Sequence, residues 1–136
     1  MPARMKLCTN CLWNSRKATS SGAVQQDRFA AARELQARYG GVVVLKGPGS
    51  LVAADRPPQR LCALGNPGMA SGGMGDVLTG VIAALRAQGL PAFDAACAAV
   101  CLHAQAADRV AARHGQRGLL AADLMPAIRR LLNDCQ

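Results

Sequence analysis

The segment GNPGMASGGMGD, residues 65–76, constrains this chain more than any other stretch. Five glycines fall in twelve residues, an aspartate closes the run, and VLTGVIAALRAQG follows with its apolar residues at helical spacing. Leu78, Ile82 and Leu85 form the apolar stripe of that helix, and Gly89 supplies its C-cap. A glycine-rich loop that opens a helix brings free backbone N–H groups and the positive end of the helix dipole to one place. Glycine also keeps Cβ atoms out of the path of an approaching anion. The expected product is a phosphate cradle built on Gly72, Gly73 and Gly75. Asp76 beside it has two readings: a carboxylate made comfortable by the helix dipole, or a proton-handling group next to phosphate. The loop fits neither G-x-x-x-x-G-K-[ST] nor G-x-G-x-x-G, so a P-loop or Rossmann enzyme is not expected.

A second glycine segment, KGPGS at residues 46–50, follows the β-branched run VVVLK. That run lacks alternation and reads as a strand buried on both faces, as in a parallel sheet. Open α/β sheets bind ligands at the C-terminal ends of their strands. Lys46 can meet a phosphate there or snorkel to solvent. Gly47, Gly49 and Ser50 can donate backbone N–H groups, whereas Pro48 has none. SLVAA and QRLCAL read as two further short strands. One helix is expected over VQQDRFAAARELQARY, residues 24–39, and an Ala-rich helix from Pro91 to about Arg113. A last helix covers AADLMPAIRRLLND, with Asp123 at its start and Pro126 in its first turn. Residues 1–23 show no periodicity and read as a loop or disordered lead-in. The order of elements describes part of an α/β layered domain with few candidate strands.

Composition narrows the function classes. The formal net charge of +8 invites a nucleic-acid reading, but much of the excess lies in the first fifth, and only four aromatic residues are present. A base-stacking surface is therefore not expected, and a small anionic ligand suits the balance equally well. No secretory leader or membrane-length apolar run is evident, so the expected location is cytoplasmic, with reduced thiols. Cys8 and Cys11 have the spacing of half a zinc site without a second ligand pair, so no metal site is assigned. Cys97 and Cys101 read as small buried thiols on a helix. Asp108 and Arg109 are expected to face solvent, and His103 to serve packing or a hydrogen bond.

The stretches VVVLKGPGSLVAA, GNPGMASGGMGDVLTGVIAALRAQGL, AVCLHAQAAD and GLLAADLMPAI together resemble the C-terminal domain of YjeF-type proteins, the ADP-dependent NAD(P)H-hydrate dehydratases. The resemblance spans residues 24 to 134 and implies a partial ribokinase-like fold, its C-terminal half, in a domain over 24–136. It implies a lyase that removes water from hydrated NADH or NADPH while ADP, or ATP in some members, is consumed with Mg2+. Carried over, Asp76 activates the ring hydroxyl and the amides of Gly72 to Gly75 stabilise the transferring phosphoryl group. Lys46, Gly47, Pro48, Gly49, Ser50 and Gly75 hold the adenine nucleotide. KGPGS departs from the commoner KGAGT-like form: serine keeps the hydroxyl, and proline removes one donor. Family domains are about twice as long, so an N-terminally truncated member is expected, its sheet completed by a second copy of the chain, as a homo-oligomer, or left incomplete. A ribokinase-like small-molecule kinase and a nucleotide-binding fragment without turnover are the alternatives. Neither a nucleic-acid partner nor membrane association is expected.

Overall fold

The computed structural model describes residues 5–8 and 21–134. The chain divides into two compact units, residues 1–61 and 62–136.

The first unit carries a four-stranded sheet in the order β1-β2-β3-β4, with β1 at Met5–Cys8, β2 at Val42–Leu45, β3 at Ser50–Ala53 and β4 at Arg60–Cys62. The last residue of β4 opens the second unit. β1 runs parallel to β2, from Met5 opposite Val42 to Cys8 opposite Leu45, while β3 returns antiparallel, with Leu45 opposite Leu51. The sheet is thus mixed, and β2, with a strand on each side, is buried at every position. Helix α2 (Arg28–Tyr39) packs on β2 and β3. It presents Ala31 and Ala32 to Leu45, Leu51 and Ala53, and side chains this small let helix and sheet approach closely.

Two expectations change here. Met5–Cys8 is a strand rather than loop, because a parallel partner on β2 satisfies a backbone that shows no pattern of its own. Residues 1–4 and 9–20, Cys11 included, lie outside the described residues, and residues 21–23 are helical where a loop is expected. The single helix over 24–39 is two: α1 (Ser21–Gln26) ends before Asp27, which leaves helical geometry and caps α2 by accepting from the Ala30 N–H at 2.8 Å. An aspartate that can bond its own downstream backbone competes with helix continuation.

The second unit is a layer of three helices: α3 (Met74–Ala87), α4 (Ala92–His114) and α5 (Leu124–Asn133), with α4 packed against both others. Its core joins Met74 of α3, Ala106 and Ala107 of α4, Leu119, and Leu124, Ile128 and Leu131 of α5. Leu78, Ile82 and Leu85 are buried as their spacing predicts. Gly89, at φ 94°, lets the chain turn after α3, and the Leu90 N–H reaches back to the Leu85 carbonyl. Pro126 is the third residue of α5, where its missing N–H has no partner to lose. Among the described residues no helix is long and apolar enough to cross a membrane.

The thiols correct a third expectation. Cys62 is buried and Cys97 half-buried, but Cys101 lies at the surface. Its thiol is still partly shielded, and that burial, then the neighbouring Cys62 and Cys97, push it up to about 11.

Candidate functional site

In the second unit the glycine-rich segment is built from the backbone outward. Asn66 opens it by folding its Oδ1 onto the Gly68 N–H at 3.0 Å, which starts a short 3-10 turn at Pro67–Ala70. This turn separates β4 from the cradle, which therefore does not leave a strand directly. Gly68 sits where no side chain fits: a Cβ there would lie 2.5 Å from the Gln116 carbonyl oxygen and 3.2 Å from the Leu119 Cβ. Gly73, in the left-handed region at φ 81°, is the N-cap of α3. Its carbonyl accepts from the N–H groups of Asp76 and Val77 at 3.0 and 3.1 Å.

The N–H groups of Gly72, Gly73, Met74 and Gly75 have no acceptor among the described residues. They are the orphan donors of a helix start, and no side chain caps them. Ser71 adds a buried hydroxyl oxygen with no hydrogen-bond partner among the described residues. Asp76, the third residue of α3, is exposed, and its carboxylate makes no hydrogen bond or ion pair among the described residues. It is therefore not a capping residue. Four open amides and a spare hydroxyl thus share one helix start, and this donor set fits a phosphate group; the uncommitted Asp76 carboxylate, an acceptor, stands beside it.

What holds the segment was not read from the sequence. Asp108, on α4, accepts from the Gly65 N–H at 2.9 Å and from the Asn66 Nδ2 at 2.8 Å. It clamps the loop entrance and does not merely face solvent, contrary to expectation. A helical Asp carries no local mark of a partner 42 positions away. Arg109 does stay at the surface, paired with Asp134 at 3.1 Å. Asp123 caps its own turn by accepting from the Leu120 N–H at 2.9 Å. His103 is buried, in keeping with packing.

In the first unit, Lys46 to Ser50 form the turn between β2 and β3. Lys46 and Ser50 are half-buried. Arg28, the first residue of α2, reaches into this turn and donates to the carbonyls of Pro48 and Leu45, the latter at 3.2 Å. A Cβ on Gly47 would lie 2.8 Å from the Arg28 Nη2, and Gly47 and Gly49 both have positive φ. Burial lowers the pKa of Arg28 from its ordinary value, yet a guanidinium stays charged. A fixed positive charge therefore lies against the turn whose Lys46 and amides were read as nucleotide ligands. Nothing in the DR dipeptide signals this reach across the chain.

A family model described as NAD(P)H-hydrate dehydratase matches residues 13–130. The chain belongs to that family. This dehydratase-family chain is 64% identical over 110 residues to the bifunctional NAD(P)H-hydrate repair enzyme Nnr of Vibrio cholerae, a match covering 81% of the chain and 22% of that protein. It superposes at a TM-score of 0.80, with 30% identity, on the ADP/ATP-dependent NAD(P)H-hydrate dehydratase of Bacillus subtilis co-crystallised with ATP/Mg2+, covering 85% of the chain and 42% of that structure. A ribokinase-like superfamily protein of Enterococcus faecalis aligns at a TM-score of 0.71 with 30% identity over 82% of the chain and 38% of its own length. The fold is accordingly α/β and ribokinase-like. The chain spans about a fifth of the Vibrio relative and about two fifths of each of the two structures.

Proposed function

We propose that the segment Gly72–Asp76 is the phosphoryl-transfer end of a site that dehydrates hydrated NADH or NADPH at the expense of ADP or ATP. The observation that carries this reading is the row of four uncommitted amides ending at an uncommitted carboxylate. A purely structural helix start would spend such a carboxylate on its own N–H groups.

When bound, the nucleotide would supply the phosphoryl group and Mg2+ would neutralise charge on its phosphates. The residues of the chain do the rest. Asp76 takes the proton of the ring hydroxyl as that oxygen bonds to the terminal phosphorus, whose bond to the bridging oxygen breaks to release AMP from ADP, or ADP from ATP. The amides of Gly72, Gly73, Met74 and Gly75 hold the phosphoryl oxygens as negative charge gathers on them. The exposed position of Asp76 keeps the carboxylate free to accept the proton. Loss of phosphate and of a ring proton from the phosphorylated hydrate then restores the ring double bond. Lys46, Gly47, Pro48, Gly49 and Ser50 are assigned to the adenine nucleotide, with Arg28 fixing their turn. The same reading takes the hydrated dinucleotide as the small-molecule partner and a second copy of the chain as the means of completing the site.

The test is regain of reduced-nicotinamide absorbance from hydrated NADH with ADP and Mg2+. Asp76→Asn keeps size and polarity but loses the base, so turnover is expected to fall by about 10²–10⁴-fold. Equal turnover in the variant would remove Asp76 from the chemistry. A phosphorylated product that accumulates without dehydration would assign a kinase instead.

A further inference from the structure

At the far end of α4 the second unit holds a cavity of about 440 Å³ that includes none of the residues assigned above. Its charged lining is Arg109, Arg113, His114, Arg117, Asp123 and Arg130. Arg109 and Arg113 come from α4, Arg117 from the connection to α5, and Arg130 from α5 itself. Arg109 is paired with Asp134, and the Asp123 carboxylate is occupied by the Leu120 N–H. Arg113, Arg117 and Arg130 have no ion-pair or hydrogen-bond partner among the described residues.

One part of this cluster has an ordinary cause. Basic residues in the last turn of a helix complement its dipole, which accounts for Arg113 and His114. The same cause covers Arg130, in the last turn of α5. It does not account for Arg117, which belongs to the connection, or for the meeting of residues from all three elements at one hollow. Arg113, Arg117 and Arg130 are exposed, so solvent screens their mutual repulsion, but an anion seated in the concavity would be attracted by all three at once. Guanidinium forks match phosphate oxygens in pairs. The volume falls within the range of small-molecule sites, about 300–1,000 Å³. A solvent-open hollow of this size suits a compact anion, whereas nucleic acid needs an extended groove or face.

We infer that this cavity binds a small molecule bearing two adjacent phosphates, held by Arg113, Arg117 and Arg130, at a site separate from the glycine-rich segment. The inference is independent of the proposed dehydratase chemistry.

The test uses the full chain and inorganic pyrophosphate at about 150 mM salt. The chain has two histidines, so the His114 ring proton reports on the cavity and that of buried His103 on the fold. Pyrophosphate is expected to shift the His114 signal saturably and to leave His103 in place. Arg113→Gln/Arg117→Gln should weaken that response at least tenfold, with His103 unchanged as proof of folding. Arg130→Gln serves as a second variant should the first misfold. Asp76→Asn should bind as the unaltered chain does, whatever its turnover. ADP saturating the His114 shift below pyrophosphate identifies a nucleotide as the source of the phosphates; pyrophosphate saturating first identifies a phosphate-only anion. Both support the site. A His114 signal that pyrophosphate leaves unmoved, or moves equally in the arginine variants, overturns it. So does duplex DNA that shifts the signal at lower phosphate concentration than pyrophosphate.

Discussion

Gly72 separates the demands of the fold from those of a ligand. A Cβ placed on it meets nothing within 4 Å, and its φ lies outside the left-handed region. The fold therefore has no use for glycine at this position. Gly68, four residues earlier, is the opposite case, with its Cβ position 2.5 Å from a backbone carbonyl. Gly72→Ala is expected to leave stability unchanged or raise it by about 0.4–1 kcal/mol, because alanine restricts the unfolded chain. Gly68→Ala should cost about 1–3 kcal/mol, since the Gln116 segment must shift. Ligand affinity follows the other order. A methyl group in front of the open amides removes one charge-assisted hydrogen bond to phosphate, about 1.5–3 kcal/mol, or about 10- to 150-fold in affinity. Urea melts give the stabilities, and ADP titration followed on the amide signals of Gly73 and Gly75 gives the affinity. If Gly72→Ala binds ADP normally at those amides, or melts as low as Gly68→Ala, the cradle reading fails.

Two further outcomes follow from contacts away from the cradle. Asp108→Ala removes both acceptors from the loop entrance, at 2.8 and 2.9 Å, and should cost about 2–3 kcal/mol, less than two full charge-assisted bonds because Gly65 is exposed and water replaces part of the loss; a urea midpoint within 0.5 M of the unaltered chain, at a typical m of about 1–3 kcal/mol/M, would show that the clamp holds nothing. Alkylation of Cys101 by iodoacetamide should rise with a midpoint near pH 11, and Cys62→Ala should bring the midpoint down toward 9.0, since a thiolate formed at Cys101 is disfavoured by burial and by its thiol neighbours. The raised value means that its stabilising contribution is whole below pH 9.0 and is lost as the pH passes through about 11. An alkylation midpoint near 9 in the native chain would refute the shielding.

The elements that can be read in the sequence are those whose cause is local. The α3 stripe, the Gly89 turn and the buried VVVL strand each follow from residues within one turn or strand of each other. The open amides of Gly72 to Gly75 follow likewise from a helix start without a capping side chain. Met5–Cys8 was missed because its strand geometry depends on β2, more than thirty residues away. Asp108 and Arg28 were missed for the same reason. Each acts on backbone atoms between 17 and 43 positions distant, and neither has a sequence neighbour that marks the reach.

This division has a consequence for the two glycine segments. In each, glycines admit the backbone shape, but one charged helical side chain fixes it: Asp108 on the entrance of the 65–76 loop and Arg28 on the 46–50 turn. The signs match the groups each side chain must satisfy. A carboxylate gathers N–H donors at Gly65 and Asn66, and a guanidinium gathers carbonyls at Leu45 and Pro48. Both arrangements use polar groups of the loop away from the cradle and leave the amides of Gly72 to Gly75 uncommitted. A loop built for a corner alone would gain stability by capping those amides with Asp76, which stands three residues past the left-handed Gly73 and one past Gly75. That the carboxylate remains exposed and unbonded, while a distant aspartate does the structural work, is the physical reason for the role proposed for Asp76.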